Sequence, residues 1–580
     1  MMPRFVICFG ILMGLTVILL IRVDPVPSDH KFNLPFRVHL MSTRPLVGVL
    51  GLVGATLAIG AATGLLLLCG YPIAGLVSAM PFLVVSVAVD DVFIMFNSWK
   101  HFADASSVEI RLSKTMSDAA VSITITSVTT ALSFSVGMLS SIRAVQIFCA
   151  YSAVGVIFCY ISVVTFFASL MAVAGYYEDN RQMCRQGNEK PVQDICSSLL
   201  QNYYGPLLMK PYTKLAVLVL YAIYLFSAIL GCTHLQEGMT VQDVMPTDYH
   251  GTRFYDYLQK YLQPLGQQVE IVINNLPNIS SLAERNKLKS IVADFEDTEY
   301  TMDESATFFW LRHYETYLLG AFVFPETESP QIWSKNLYDW AQGNVEQKKF
   351  AKDLYWRNAT GSEQKRCRCT KILSACRFSI GMRNFDESLK QRYAGESIRE
   401  KAFKYSQYNI TTFMYEWPFL DQYRIILPNT LTNISIALAC MVLIAVLFYK
   451  QTSVVVWIAV AILSMDFGVI GFMSYWKVNL DAISMITILM SIGFSVDYSA
   501  HISYGFVTAK GTPNERAIAA IESLGLPVIQ GAVSTILGIS VLATVNAHMM
   551  QIFSRIVVII ILSGVFHACV VLPVLLTLVQ

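Results

Sequence analysis

Eleven apolar stretches, each near the ~20 residues that a helix needs to cross a hydrocarbon core, constrain this chain more than any other feature. They lie near 4–22, 46–69, 75–97, 120–140, 144–174, 213–232, 431–448, 453–474, 481–504, 526–545 and 552–579. In lipid every backbone N–H and C=O must be paired within the segment, so each stretch is expected to be helical. Composition agrees: 54% of residues are hydrophobic and 14% charged, against about 25% charged in soluble domains. The net charge of +1 offers neither a basic field for nucleic acid nor an acidic tail. The chain reads as a polytopic α-helical membrane protein. Its first stretch, with Arg4 ahead of an apolar run, could be a signal peptide. No small-residue cleavage site follows, so a retained helix is preferred.

One polar stretch of about 200 residues, 233–430, interrupts the series and is long enough to be a domain with its own core. Basic residues set its side of the membrane. One set of loops carries Arg22, Lys31, Arg37, Arg44, Lys100, Arg111, Lys114, Arg181, Arg185, Lys190, Lys210, Lys450, Lys510 and Arg516, whereas the opposite short loops carry only Arg143 and Lys477. The first set is cytoplasmic by this rule, and 233–430 faces the lumen or the outside. Sequons at Asn278, Asn358 and Asn409 fall on that side, and Asn433 heads a fourth too close to a span for easy modification. Cys367, Cys369 and Cys376 cluster there, with Cys232 at the membrane edge; one or two disulfides are expected, without a pairing fixed by sequence.

Inside the apolar runs the costly residues are acids. Asp90 and Asp91 sit together in "SVAVDDVFIMF", although each carboxylate at the bilayer centre costs about 2.5–3.5 kcal/mol on the lenient insertion scale. Asp497 and His501 follow in "SIGFSVDYSAHISYGF", spaced i, i+4 on one helical face. Asp466 lies in "LSMDFGVIGF". Hydroxyls are close at hand in Ser122, Thr124, Thr126, Thr129 and Thr130, and in Ser491, Ser495 and Ser499. Carboxyls with one imidazole in apolar surroundings suit a proton relay or a partly dehydrated sodium site; the alternative is a polar network that only fixes helix packing. His548 and His567 each stand alone. No metal-ligand spacing, phosphate loop or nucleophile elbow occurs, so an enzyme is not expected, and uphill movement would need an ion gradient.

The acids belong to a repeat. Moved forward by 405, Val128, Thr130, Leu132, Ser135, Val136, Gln146, Ile147 and Phe148 fall on Val533, Thr535, Leu537, Ser540, Val541, Gln551, Ile552 and Phe553; moved by 407, Val89-Asp90 falls on Val496-Asp497. Two halves of equal orientation, related by an axis along the membrane normal, are expected, with the site of interest at their interface near the midplane. The repeat also leads to the expectation of a preceding helix and a first external domain ahead of Met1. It leaves about 20 extra residues near 23–44.

"MPFLVVSVAVDDVFIMFNSWK", "VNLDAISMITILMSIGFSVDYSAHISYGF" and "DQYRIILPNTLTNI" resemble the fourth, tenth and pre-eighth segments of Patched-related proteins of the nematode type. The resemblance implies a resistance–nodulation–division architecture of two six-helix halves, each with an external α/β (ferredoxin-like) domain. It also implies a sterol-sensing domain over 4–174; the hydropathy and charge pattern divides the rest into a cytoplasmic linker at 175–212, a helix at 213–232, an external domain at 233–430 and a second membrane half at 431–579. The family's acidic pair maps to Asp90 and Asp91, and its second acid to Asp497. Glycines usual before the pair are here Ser86 and Ala88.

The expected function is ion-coupled transport of sterol or another lipid, by H+ or Na+ and without other cofactors. The alternatives are a lipid sensor without turnover and a non-transporting truncated homologue. Membrane lipids and a lipophilic substrate are the expected partners, nucleic acid is not, and the plasma membrane or an endosomal or vesicular membrane is the expected location. Protein made in eukaryotic cells should gain mobility on glycosidase treatment, through Asn278, Asn358 and Asn409. A glycan found instead on an acceptor introduced at 185–190, with those three asparagines bare, would invert the topology.

Overall fold

The structure, a computed structural model, describes residues 2–20, 22–25, 36–39, 43–103, 107–184, 200–238, 249–262, 267–277, 279, 281–321, 330–358, 371–383, 388–449 and 451–578. The chain divides into two compact units, Met1–Gln236 with Ile425–Gln580, and Glu237–Arg424.

The first unit is a helical bundle. Among the described residues it contains ten helices long and apolar enough to cross a membrane, plus a shorter apolar one at Pro3–Ile18. In chain order the first half has α1 (Met2–Leu20), α2 (Thr43–Leu68), α3 (Met80–His101), α4 (Val108–Gly137) and α5 (Arg143–Ser162), which runs through a π-turn at Val163–Phe167 into α6 (Ala168–Cys184). After α7 (Pro211–Thr233) and the second unit come α12 (Trp417–Phe448), α13 (Thr452–Tyr475), α14 (Ala482–Thr508), α15 (Pro513–Ala543) and α16 (His548–Phe566). A second π-turn, His567–Val571, leads from α16 into α17 (Leu572–Leu578). The excess segment after α1 contributes a small hairpin, Arg22–Pro25 (β1) antiparallel to Phe36–His39 (β2).

Helix starts follow local chemistry. Asp481 caps α14 by accepting from the Ile483 and Ser484 amides, and Thr512 with Glu515 forms a capping box on α15. α12 begins well before its apolar run at 431, because the backbone ladder continues through polar Asp421, Gln422 and Arg424.

The repeat is visible as repeated contacts. Gln146 donates from Nε2 to the Ser140 carbonyl (2.7 Å), and its counterpart Gln551 donates to Val545 (3.1 Å), so the duplicated Gln-Ile-Phe loops close in the same way. Arg111 stacks 4.1 Å over Trp99 and donates to the Trp99 carbonyl; Arg516 stacks 4.3 Å over Phe506 and donates to the Phe506 carbonyl. Phe148 meets its own counterpart Phe553 edge to face, with ring centroids 6.3 Å apart. A residue that touches its own repeat copy lies on the axis relating the two. Around that axis α4 packs on α14, and α15 packs on α3.

The second unit is an antiparallel sheet with helices, in the order β4 (Thr307–Phe308), β6 (Lys371–Met382), β3 (Gln267–Ile273) and β7 (Ile410–Phe413), with β5 (Leu354–Asn358) also paired to β6. The alternation of β3 buries Val269, Ile271 and Ile273. They pack with Leu288, Ile291, Val292 and Phe295 of α8 (Leu282–Glu296), Trp310 of α9 (Trp310–Gly320), Trp333 and Trp340 of α10 (Pro330–Ala341), and Ile398 of α11 (Ser388–Lys404). The tryptophans are core, with Trp356 packed at its margin.

α7 and α13 meet through glycine. A Cβ on Gly471 would run into the backbone of Ala228, and one on Gly231 into the backbone of Gly471, whereas a Cβ on Gly60 would meet nothing. Close backbone approach of this kind is the basis of small-residue packing in membranes. Gly471→Leu should therefore cost about 1–3 kcal/mol and lower the melting temperature in detergent, while Gly60→Leu should leave it unchanged. Equal behaviour of the two variants would refute this packing.

Candidate functional site

The acid on α3 is stabilised from the other half. Asp90 Oδ1 accepts from Ser534 Oγ on α15 at 3.4 Å. The room for it is made by Gly531, one turn earlier, whose Cβ would come within 2.5 Å of that same oxygen. The acid on α14 is treated reciprocally. Thr130 on α4 donates to both oxygens of Asp497, at 3.1 and 3.0 Å. Four residues on, His501 Nδ1 lies 2.6 Å from Ser122 Oγ, also on α4; the tautomer decides which atom donates. Each half thus supplies hydroxyls to the other half's acid.

Asp90, Asp91, Asp497 and His501 line one cavity of about 30 Å³ between the halves, together with Val87, Ile94, Thr126, Phe494, Tyr498 and Gly531. That is room for one or two waters. Most of the lining falls into repeat pairs: Val87 with Phe494, Asp90 with Asp497, Asp91 with Tyr498, Ile94 with His501, and Thr126 with Gly531. The cavity straddles the pseudo-twofold relation, yet its chemistry is unequal. One side presents two carboxyls, the other a carboxyl, a phenol and an imidazole. Asp91 lies within electrostatic reach both of Asp497 across the interface and of Cys159 on α5.

No Lys or Arg pairs with these acids, and no three His, Cys, Asp or Glu side chains converge closely enough to hold a metal, among the described residues. An unpaired buried charge costs several kcal/mol, so the cavity's polar lining and any water it admits must carry that load.

The small residues that replace the expected glycines also pair across the interface. Ser86 faces Gly538, its hydroxyl 3.1 Å from where a Cβ would stand, and Gly493 faces Ser133 at the equivalent crossing. The serine and the glycine have changed places between the two crossings, so each keeps one small partner and close approach is preserved.

Asp466 is not part of this cavity. It is buried on α13 and accepts from Ser491 Oγ at 2.7 Å. His567, unremarkable in sequence, is fully buried at the second π-turn, with Nε2 2.8 Å from Ser464 Oγ and Nδ1 2.8 Å from the Ser563 carbonyl. Tyr224 of α7 completes that network through Ser563 Oγ at 2.7 Å. Sequence reasoning also missed Gly531 and Tyr498, for which the repeat offset was the available signal.

In the second unit Asn358 is exposed at the end of β5, and Asn409 adopts a left-handed conformation (φ 46°) just before β7. Asn278 lies outside the described residues. Asn433 is buried within α12. Cys376 is a free thiol buried in β6, where burial pushes it up to about 12; the expected disulfide partners Cys367 and Cys369 lie outside the described residues.

Comparison with known proteins bears on this architecture. Residues 9–173 match the Patched family model described as Patched SSD. The chain is 29% identical over 555 residues to Patched-related protein 9 of Caenorhabditis elegans, covering 93% of this chain and 62% of that protein. It is 22% identical to NPC intracellular cholesterol transporter 1 of Sus scrofa, covering 93% and 47%. Among solved structures it is similar to the hedgehog release protein Disp from the water bear Hypsibius dujardini (TM-score 0.67, 11% identity, 100% of this chain and 71% of that one). It is also similar to SecDF in its super-membrane-facing form (TM-score 0.51, 13% identity, 99% and 61%). The chain thus spans about half to three fifths of the length of these curated relatives. The resemblance to Patched-related proteins read from the residues holds: the chain is a multi-pass membrane protein similar to them, and residues 9–173 match the sterol-sensing-domain model of that family.

Carbodiimides modify carboxyls in apolar membrane sites, and the cavity geometry predicts where. Gly531→Leu fills the space Asp90 occupies, so labelling of Asp90, read by peptide mass spectrometry, should change several-fold while Asp497 labelling stays as in the parent. Unchanged labelling at Asp90 would contradict the placement.

Proposed function

We propose that this protein moves sterol or a related lipid at the expense of an ion gradient, with Asp90, Asp91 and Asp497 as the ion-exchanging groups and His501 as their neighbour in the relay. The observation that carries the proposal is the reciprocal donation of hydroxyls across the two halves. Any slide of α3 against α15, or of α4 against α14, alters the Ser534–Asp90 and Thr130–Asp497 hydrogen bonds. Loading an ion on the acids therefore shifts the balance between two arrangements of the halves, which is the differential interaction that coupling requires. The carboxyls line the cavity without converging as ligands, and this suits proton exchange through one or two waters better than coordination of Na+.

The lipid assignment rests on likeness: on the sterol-sensing-type match over 9–173, and on a relative whose name is that of a cholesterol transporter. A sensor that binds lipid without turnover is the competing reading, and the same variants separate the two. In proteoliposomes, Asp90→Asn, Asp91→Asn and Asp497→Asn should each insert normally and reduce gradient-driven lipid movement at least ~10-fold, a loss of about 1.4 kcal/mol or more in effective coupling, while equilibrium sterol binding persists. Undiminished movement in all three at normal surface levels would remove the coupling role. Sterol binding without any gradient-dependent movement in the parent protein would favour the sensor.

A further inference from the structure

We propose that Asp466 is a second proton-binding site, confined to the second membrane half and separate from the Asp90–Asp497 cavity. Asp466 is 3% exposed. Its Oδ1 accepts from Ser491 Oγ, and its Oδ2 is enclosed with no partner among the described residues. An ionised carboxylate presents about four acceptor sites, and here one hydroxyl serves them. With a proton on Oδ2, the same geometry leaves a neutral acid whose carbonyl oxygen takes the Ser491 donor. An enclosed group without counter-charge takes the neutral form.

Packing does not demand an acid here. The repeat places Ile59, 4% exposed, at the position of Asp466, and Val84, 1% exposed, at that of Ser491. The first half thus closes the same place with two apolar side chains. None of the following titratable groups that face α13 is a cation that could neutralise Asp466: Cys232 of α7 gives its thiol to the Phe467 carbonyl at 3.8 Å, and Tyr224, within electrostatic reach of Asp466, is a neutral phenol. Tyr224 is engaged by Ser563 and the Ser464 carbonyl. Tyr221 stacks on Tyr224, and His567 is held by Ser464 and Ser563. Asp497 and His501 of α14 line the cavity instead. Ser491 also donates to the Ile488 carbonyl at 2.7 Å, so its hydroxyl has a second acceptor when it leaves Asp466, and the acid can gain or lose its proton without stranding the serine.

Infrared spectroscopy of the full chain in lipid, exchanged between H2O and D2O, tests this directly. The parent should show a carboxylic-acid C=O band that Asp466→Asn removes, that Ser491→Ala moves to higher wavenumber by withdrawing a hydrogen bond, and that persists when Asp90, Asp91 and Asp497 are all changed to Asn. An unchanged carboxylic region in Asp466→Asn overturns the proposal, as does a band that disappears only in the triple variant. If Asp466→Asn fails to fold, Ser491→Ala still decides, since it keeps the carboxyl and must move its band. The transport reading depends on the triple variant and this site does not, so each can fail without the other.

Discussion

A carboxyl held in hydrocarbon needs a polar partner, and for Asp90 and Asp497 the opposite half of the bundle provides it. Thr130 reaches across to Asp497 and Ser534 to Asp90, so each of these two acids takes its side-chain donor from the other half. That requirement organises the interface. It draws α4 onto α14 and α15 onto α3, it requires a glycine at 531 where Asp90 must fit, and it leaves a water-sized cavity where the acids come together. The Phe148–Phe553 contact marks the axis about which this exchange is nearly symmetric.

The departures from symmetry are where function is to be sought. Asp91 is answered by Tyr498, Ile94 by His501 and Thr126 by Gly531. A cavity with equal sides would have two equivalent ways to load an ion. With two carboxyls on one side, and a carboxyl, phenol and imidazole on the other, the two differ, and under the proposed ion exchange this inequality would give helix movements a direction. Asp466 and the Ser464–His567–Tyr224 network extend the imbalance, since Ile59 and Val84 stand where the second half has Asp466 and Ser491.

Much of this was legible in the sequence because the repeat is a one-dimensional signal. Offsets of 405 and 407 locate the paired acids and the paired Gln-Ile-Phe loops without any knowledge of packing. The hydroxyl-bearing face of α4 could be named, but not which acid it serves, since Thr130 and Asp497 are 367 residues apart. His567 looked solitary for the same reason: Ser464 is 103 residues away on another helix. Asp466 was grouped with the other acids by composition, whereas the structure turns it toward Ser491 and out of the cavity. In the second unit, β3 alternates cleanly between buried and outward residues. The longer β6 was not recognised: its burial is irregular and its register against β5 shifts at Tyr355/Trp356, so no clean period of two survives.

The proposed coupling requires ions to enter and leave a buried site at the interface of the two halves. Charge displacement on solid-supported membranes measures that event without any knowledge of the lipid moved. A jump in pH, or in Na+ for comparison, should give a transient current in proteoliposomes of the parent protein, and that current should fall to background when Asp90 and Asp497 are both changed to Asn. A current of the same size in that variant would contradict the account.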